Sequence, residues 1–160
     1  MAGMRGGLPI RAQDVVIGAG AKPFIAYAIL STTDHGAGDE VIYPNPGFPI
    51  YESQIIACGA KPVPVQLREA RDFAFDPAEL EKLITPKTKL IFMNHITSST
   101  GLRFPVEEVI AYAKSKGIMI FIDGAHVPGQ IPLDPAGRLN VDEPVTLRMQ
   151  FAHQCRHNRD

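Results

Sequence analysis

The stretch Gly117-Ile118-Met119-Ile120-Phe121-Ile122-Asp123-Gly124-Ala125-His126 decides how this chain is read. Its five consecutive apolar residues lack the alternation of a half-solvated strand, so they fit a strand covered on both faces, as in a parallel sheet. Periodicity alone leaves a buried helix segment open; the flanking Gly117 and Asp123 favour the strand. Just upstream, Val106, Val109, Ile110 and Ala113 fall at i, i+3, i+4 and i+7, which predicts a helix with one apolar stripe. Lys114 and Lys116 suit its C-terminal end and Gly117 its stop. Together these make the second half of a strand–helix–strand unit.

The same alternation extends toward the N-terminus. Short apolar runs at residues 15–17, 40–43, 62–67 and 90–94 are each bounded by Gly, Pro, Asn or Asp and read as further strands. Between them, Asp76-Pro77-Ala78-Glu79 has the residues of a helix start, with Asp76 as cap and Pro77 in the first turn, and Leu80 and Leu83 supply the buried side. Helices are also expected at residues 23–30, after a glycine turn, and at 49–58, after Pro46-Gly47. The fold class expected is α/β: three layers, a mainly parallel sheet with helices on both faces. Residues 135–160, which carry no sustained period, are read as an irregular C-terminal tail. Within that tail, His153, Cys155 and His157 offer three metal ligands where a closed structural site wants four, so no metal site is assigned.

With 160 residues, 45% of them hydrophobic and 21% charged, the chain can build one ordinary core. A formal net charge of -1, with both signs mixed along the chain, lacks the one-signed field that nucleic acid or anionic lipid would favour. No nucleic-acid or membrane partner is expected. There are 2 cysteines and the N-terminal residues contain no apolar signal core, so a cytoplasmic location is expected.

In open α/β sheets, ligands bind beyond the carboxyl ends of the strands, so the polar groups that follow each run are the candidates. They are Gly18-Ala19-Gly20-Ala21-Lys22, Asn45-Pro46-Gly47-Phe48, Ser98-Ser99-Thr100-Gly101 and Asp123-Gly124-Ala125-His126. Gly20, Ala21 and Lys22 open a helix whose free N–H groups suit a phosphate, or else simply make a tight turn. Phe48 can serve as a stacking platform or as core, and Tyr51 can donate to the same ligand or pack. Asp123, at the end of a buried strand, needs a cationic or hydrogen-bonding partner, which a protonated pyridine nitrogen would provide; a turn cap is the alternative. His126 can face the same crevice and donate to a ring hydroxyl. Ser98 stands among hydroxyl donors in a turn.

Read together, these motifs resemble the fold-type I pyridoxal-phosphate enzymes of the aminotransferase superfamily, over roughly residues 14–134. GAGAKPF, GDEVIYPNPGFPIYE, GAKPVPVQL and LITPKTKLIFMN resemble class I and II aminotransferases. From His95 onward, HITSSTGLRFPVEEV and FIDGAHVPGQIPLD are closer to class V, which includes isopenicillin-N epimerase-like proteins and cysteine desulfurases. The resemblance implies pyridoxal 5'-phosphate as cofactor, with Gly20, Ala21 and Lys22 at its phosphate, Phe48 stacked on its ring, and Ser98 and His126 at the ring hydroxyl. Asp123 would pair with the pyridine nitrogen. It further implies that residues 1–134 are a partial cofactor-binding large domain, with an amino acid as substrate and a homo-oligomer as the assembly.

The departures bear on activity. In the family, the lysine that forms the Schiff base with the cofactor follows the aspartate, whereas here the last lysine is Lys116. No catalytic residue is therefore assigned, and whether the chain is an enzyme stays open. The function expected is that of an aminotransferase-like protein, truncated and without that lysine. A class V epimerase or desulfurase-like fragment and a non-catalytic scaffold are the alternatives. A dinucleotide fingerprint starting at Val15 is weaker, because Pro23 occupies its third glycine position.

Overall fold

A computed structural model describes residues 16–127, Gln130 and residues 146–149. Four strands form the body of the sheet: β1 (Glu40–Asn45), β2 (Lys61–Gln66), β3 (Thr88–Asn94) and β4 (Met119–Asp123). A fifth, β5 (Thr146–Met149), pairs with β4 at the edge. The order is β2-β1-β3-β4-β5 and every pairing is parallel. From β1 the chain runs outward to β2 and then returns to the other side of β1 for β3. The strand order therefore reverses between β1 and β3, where open α/β sheets leave a crevice.

Four helices cover the sheet: α1 (Lys22–Thr32), α2 (Ile50–Ala57), α3 (Pro77–Leu83) and α4 (Val106–Ser115). Side chains alternate across each strand, so two cores form. Ile42, Ile91, Met93, Ile120 and Ile122 face one way and pack with Leu80 of α3 and the Val106, Val109, Ile110 and Ala113 stripe of α4. Val41, Tyr43, Leu90, Phe92 and Phe121 face the other way and meet Ile25, Ala28 and Ile29 of α1 and Tyr51 and Ile55 of α2. Burial on both faces is why the 118–122 run has no polar member. The expected three-layer α/β architecture is borne out.

Local signals act as expected at two helices. The Asp76 side chain accepts from the Ala78 N–H at 2.9 Å to cap α3. Gly117, at φ 69°, ends α4 in a left-handed conformation that glycine adopts without penalty.

Two expectations need correction. Val16 and Ile17 do not form the strand expected at 15–17; they are 77% and 91% exposed, and among the described residues no strand pairs with them. Three apolar residues become a strand only where a neighbour completes their hydrogen-bond ladder. Conversely, Thr146–Met149 lie in the stretch read as irregular yet take the open edge of β4, matching Ile120 with Thr146 and Asp123 with Met149. Four residues are too few to carry a readable period, and it is the edge that makes the strand. The His153, Cys155 and His157 trio lies outside the described residues.

Candidate functional site

The carboxyl ends of β1, β3 and β4 bring the candidate residues together. β1 ends at Asn45, whose peptide bond to Pro46 is cis, and the chain turns through Gly47. A Cβ on Gly47 would lie 2.3 Å from the Pro44 carbonyl oxygen, so no side chain fits at this turn. The turn delivers Phe48, half-buried, to the start of α2, where Tyr51 is fully buried in the first turn. The two rings meet edge-on, with centroids 5.6 Å apart. Tyr51 in turn stacks on Phe92 of β3 at 5.3 Å and 13° between planes, and Phe92 packs on Phe121 of β4 at 5.0 Å. An aromatic column thus runs from the outer turn into the sheet.

At the top of that column lies a polar network. The register that pairs Leu90 with Met119 also places Asn94 beside Asp123, each the last residue of its strand. The Tyr51 hydroxyl donates to Asp123 Oδ2 at 2.7 Å, and Asn94 Nδ2 donates to the Tyr51 hydroxyl at 2.9 Å. The Ala125 N–H donates to Asp123 Oδ1 at 3.0 Å. All three side chains are buried: Tyr51 at 0%, Asn94 at 4% and Asp123 at 6% exposure. Burial foremost, and then the neighbouring Asp123 charge, push the Tyr51 phenol well above its ordinary value, so it remains a neutral donor.

Beside the network, a cavity of about 80 Å³ opens between the β1 and β3 loops, lined in part by Gly47, Phe48, Asn94, Ser98 and Thr100. Its volume falls below the roughly 300 Å³ at which ligand pockets begin, so this cavity could enclose only part of a cofactor. The loop beneath Ser98 satisfies its own polar groups: Thr97 Oγ1 accepts from the Leu102 N–H at 2.9 Å and bonds Thr100 Oγ1 at 2.6 Å. Ser98 is left exposed at the tip.

Gly20, Ala21 and Lys22 open α1. Gly20 has φ 88°, Ala21 is the N-cap with no side-chain hydrogen bond, and the space in front of Gly20 is open. The Gly20 N–H donates to the Gly18 carbonyl at 2.9 Å and the Phe24 N–H to the Ala21 carbonyl at 3.0 Å. Pro23 has no N–H, so among the described residues the Ala21 and Lys22 N–H groups are the donors this helix start leaves for an anion. Ala21 is buried in the same core as Tyr51 and Phe92, which ties this end of α1 to the aromatic column. Lys22 and His126 are exposed, and among the described residues no hydrogen bond joins either to the network.

The residue that sequence reasoning passed over is Asn94. Its signal was a polar side chain closing an apolar run, but its link to Asp123 exists only through the β3–β4 register and Tyr51. Among the described residues no group of three or more His, Cys, Asp or Glu could hold a metal ion.

Fold and site together define a parallel α/β protein whose strand ends gather an aromatic face and a buried carboxylate beside a helix start without a side-chain cap. Residues 2–149 match the family described as aminotransferase class I and II, and the chain belongs to that family. It is 34% identical over 125 residues to the LL-diaminopimelate aminotransferase of Halothermothrix orenii, covering 76% of this chain and 31% of that protein. To the histidinol-phosphate aminotransferase of Methanosarcina barkeri it is 37% identical over 90 residues, covering 56% and 24%. A Thermus thermophilus aspartate aminotransferase structure superposes with a TM-score of 0.76 at 23% identity, over 91% of this chain and 38% of that one, which supports the fold. The match thus spans 24% to 31% of the length of these curated relatives. Because the class I and II match runs through His95 to residue 149, the class V likeness of the second half is not favoured. Aminotransferases of this family depend on pyridoxal phosphate.

Proposed function

We propose that this chain forms one wall of the pyridoxal-phosphate site of an aminotransferase acting on an amino acid. The observation that carries the reading is Asp123, a buried carboxylate at the end of a central strand, hydrogen-bonded by Tyr51 and Ala125 and matched by no cation among the described residues. A buried carboxylate with spare acceptor capacity suits a protonated ring nitrogen. Phe48 would cover one ring face, Ser98 and His126 would lie at the ring hydroxyl, and the turn at Gly20 would bring the Ala21 and Lys22 N–H groups to the phosphate, the Gly20 N–H itself being bonded to the Gly18 carbonyl. The donor set fits the ring nitrogen, one ring face and the phosphate, which together make an open half-cradle.

When bound, the cofactor supplies an electron sink for chemistry at the substrate α-carbon. Asp123 would hold a proton on the ring nitrogen, Phe48 would fix the plane and exclude water from one side, and the α1 start would anchor the phosphate. The reading concerns binding and orientation by the residues described. The cofactor-binding part is taken to end near residue 134, with β5 added to its edge from beyond. A homo-oligomer in the cytoplasm is proposed. The apolar side chains of Val16, Ile17, Tyr27, Leu30 and Ile56, all more than half exposed, support self-association.

The test is equilibrium dialysis against pyridoxine 5'-phosphate, which has no aldehyde to react with surface lysines. Binding by the wild type and at least about tenfold weaker binding by Asp123→Ala is expected, since the variant leaves the ring nitrogen unpaired. Equal affinities would remove Asp123 from the site.

A further inference from the structure

We infer that Tyr51 is a positioning residue: through the hydrogen-bond chain from Asn94 Nδ2 to the Tyr51 hydroxyl to Asp123 Oδ2, it sets the orientation in which the Asp123 carboxylate meets a protonated ring nitrogen. The inference rests on the proposed cofactor site and adds to it a residue whose side chain need not touch the cofactor.

The argument begins with hydrogen-bond capacity. A carboxylate offers about four acceptor sites, two on each oxygen. Here Oδ2 takes the phenol at 2.7 Å and Oδ1 takes the Ala125 N–H at 3.0 Å, so the group is held at both oxygens and each keeps a lone pair. Rotation of the carboxylate would break both bonds in a buried setting, where an unmade hydrogen bond is costly. A phenol has a single proton. Because Asn94 Nδ2 donates to the Tyr51 oxygen at 2.9 Å, that proton is committed to Asp123. Burial keeps the phenol neutral, so the donor persists at physiological pH.

The Tyr51 ring has no freedom of its own. It is 0% exposed, stacks on Phe92 at 5.3 Å and takes the edge contact with Phe48 at 5.6 Å. The same side chain therefore touches the platform proposed for the ring face and the carboxylate proposed for the ring nitrogen. Phe48 arrives from the loop after β1 and Asp123 from the end of β4, with β3 between them in the sheet. Tyr51 fixes these two contacts relative to each other, which a residue that merely filled the core would not do.

Tyr51→Phe keeps the ring and removes only the hydroxyl. The measurement is equilibrium dialysis of pyridoxine 5'-phosphate and of its 1-deaza analogue, in which C–H replaces the ring nitrogen. For the wild type, the parent ligand should bind at least about tenfold more tightly than the analogue, a hydrogen bond to a charged group being at stake. In Tyr51→Phe this ratio should shrink by about tenfold while affinity for the analogue changes by less than about twofold. Equal weakening of both ligands would mean that the hydroxyl only supports packing, and an unchanged ratio would mean that it does nothing; either overturns the inference alone. A wild type that does not distinguish the two ligands would overturn the Asp123 reading and the inference with it. Should Tyr51→Phe fail to fold, Asn94→Ala decides: it leaves the phenol in place but frees its proton, and the ratio should fall by about twofold to fivefold, whereas no change would overturn the inference.

Discussion

Replacing Gly47 by alanine should disturb stability and the candidate site together. The new methyl would stand 2.3 Å from the Pro44 carbonyl oxygen and 3.3 Å from the carbonyl carbon, both rigid backbone atoms that cannot swing aside. Ordinary contact requires the turn to open by about 1 Å, and forced overpacking of this kind costs about 1–3 kcal/mol. The displaced residues lead directly into Phe48, whose ring contacts Tyr51 at 5.6 Å and lines the cavity shared with Ser98 and Asn94. Urea denaturation should therefore show a lower midpoint with unchanged slope. Dialysis at a urea-free pH of 7 should show weaker binding of pyridoxine 5'-phosphate, because the ring platform has moved. An alanine variant with wild-type midpoint and affinity would refute both the steric account and the role given to Phe48.

Four other outcomes follow from the packing and the charges. Thr85 donates to Glu40 Oε2 at 2.6 Å, and this bond, followed by the one from Lys61, holds the buried Glu40 carboxyl below its ordinary value of 4.5. A depressed carboxylate stabilises the fold above its unfolded value and stops doing so as pH falls through the folded one. Thr85→Val should thus cost about 1 kcal/mol at neutral pH, a deficit that closes below pH 4.5 in denaturation measured across pH. Tyr43, pushed up to about 12 mainly by burial, stabilises the fold below pH 10 and loses that contribution between pH 10 and about 12; Tyr43→Phe should remove this alkaline component. Leu80, the fully buried residue on the inner face of α3, should cost about 2–5 kcal/mol as alanine in chemical denaturation. Sedimentation velocity should reveal concentration-dependent association that Tyr27→Lys with Leu30→Lys weakens; a wild-type monomer at all concentrations would count against the proposed oligomer.

Much of the architecture was legible because its signals are local. The 118–122 run, the Val106–Ala113 stripe and the Asp76-Pro77 start each need only a few residues to be read, and each is buried or capped as its pattern requires. Residues 15–17 and 146–149 fail in opposite directions for a single reason. A short strand is defined by its neighbour, and neither Val16-Ile17 nor Thr146–Met149 carries that neighbour in its own sequence. The candidate site divides in the same way. Asp123 and Phe48 stand out by following apolar runs, whereas Asn94 and the directed bond from Tyr51 depend on strand register and on where α2 lies.

The most direct test of the central claim uses pyridoxine 5'-phosphate labelled with nitrogen-15 in its ring. Bound to the wild type above the pH at which the free ring loses its proton, the label should keep the chemical shift of a protonated pyridine, and Asp123→Ala should return it to the unprotonated value. A bound shift that follows the free ligand in the wild type would contradict the account, because Asp123 would then not be the group that holds the ring nitrogen's proton.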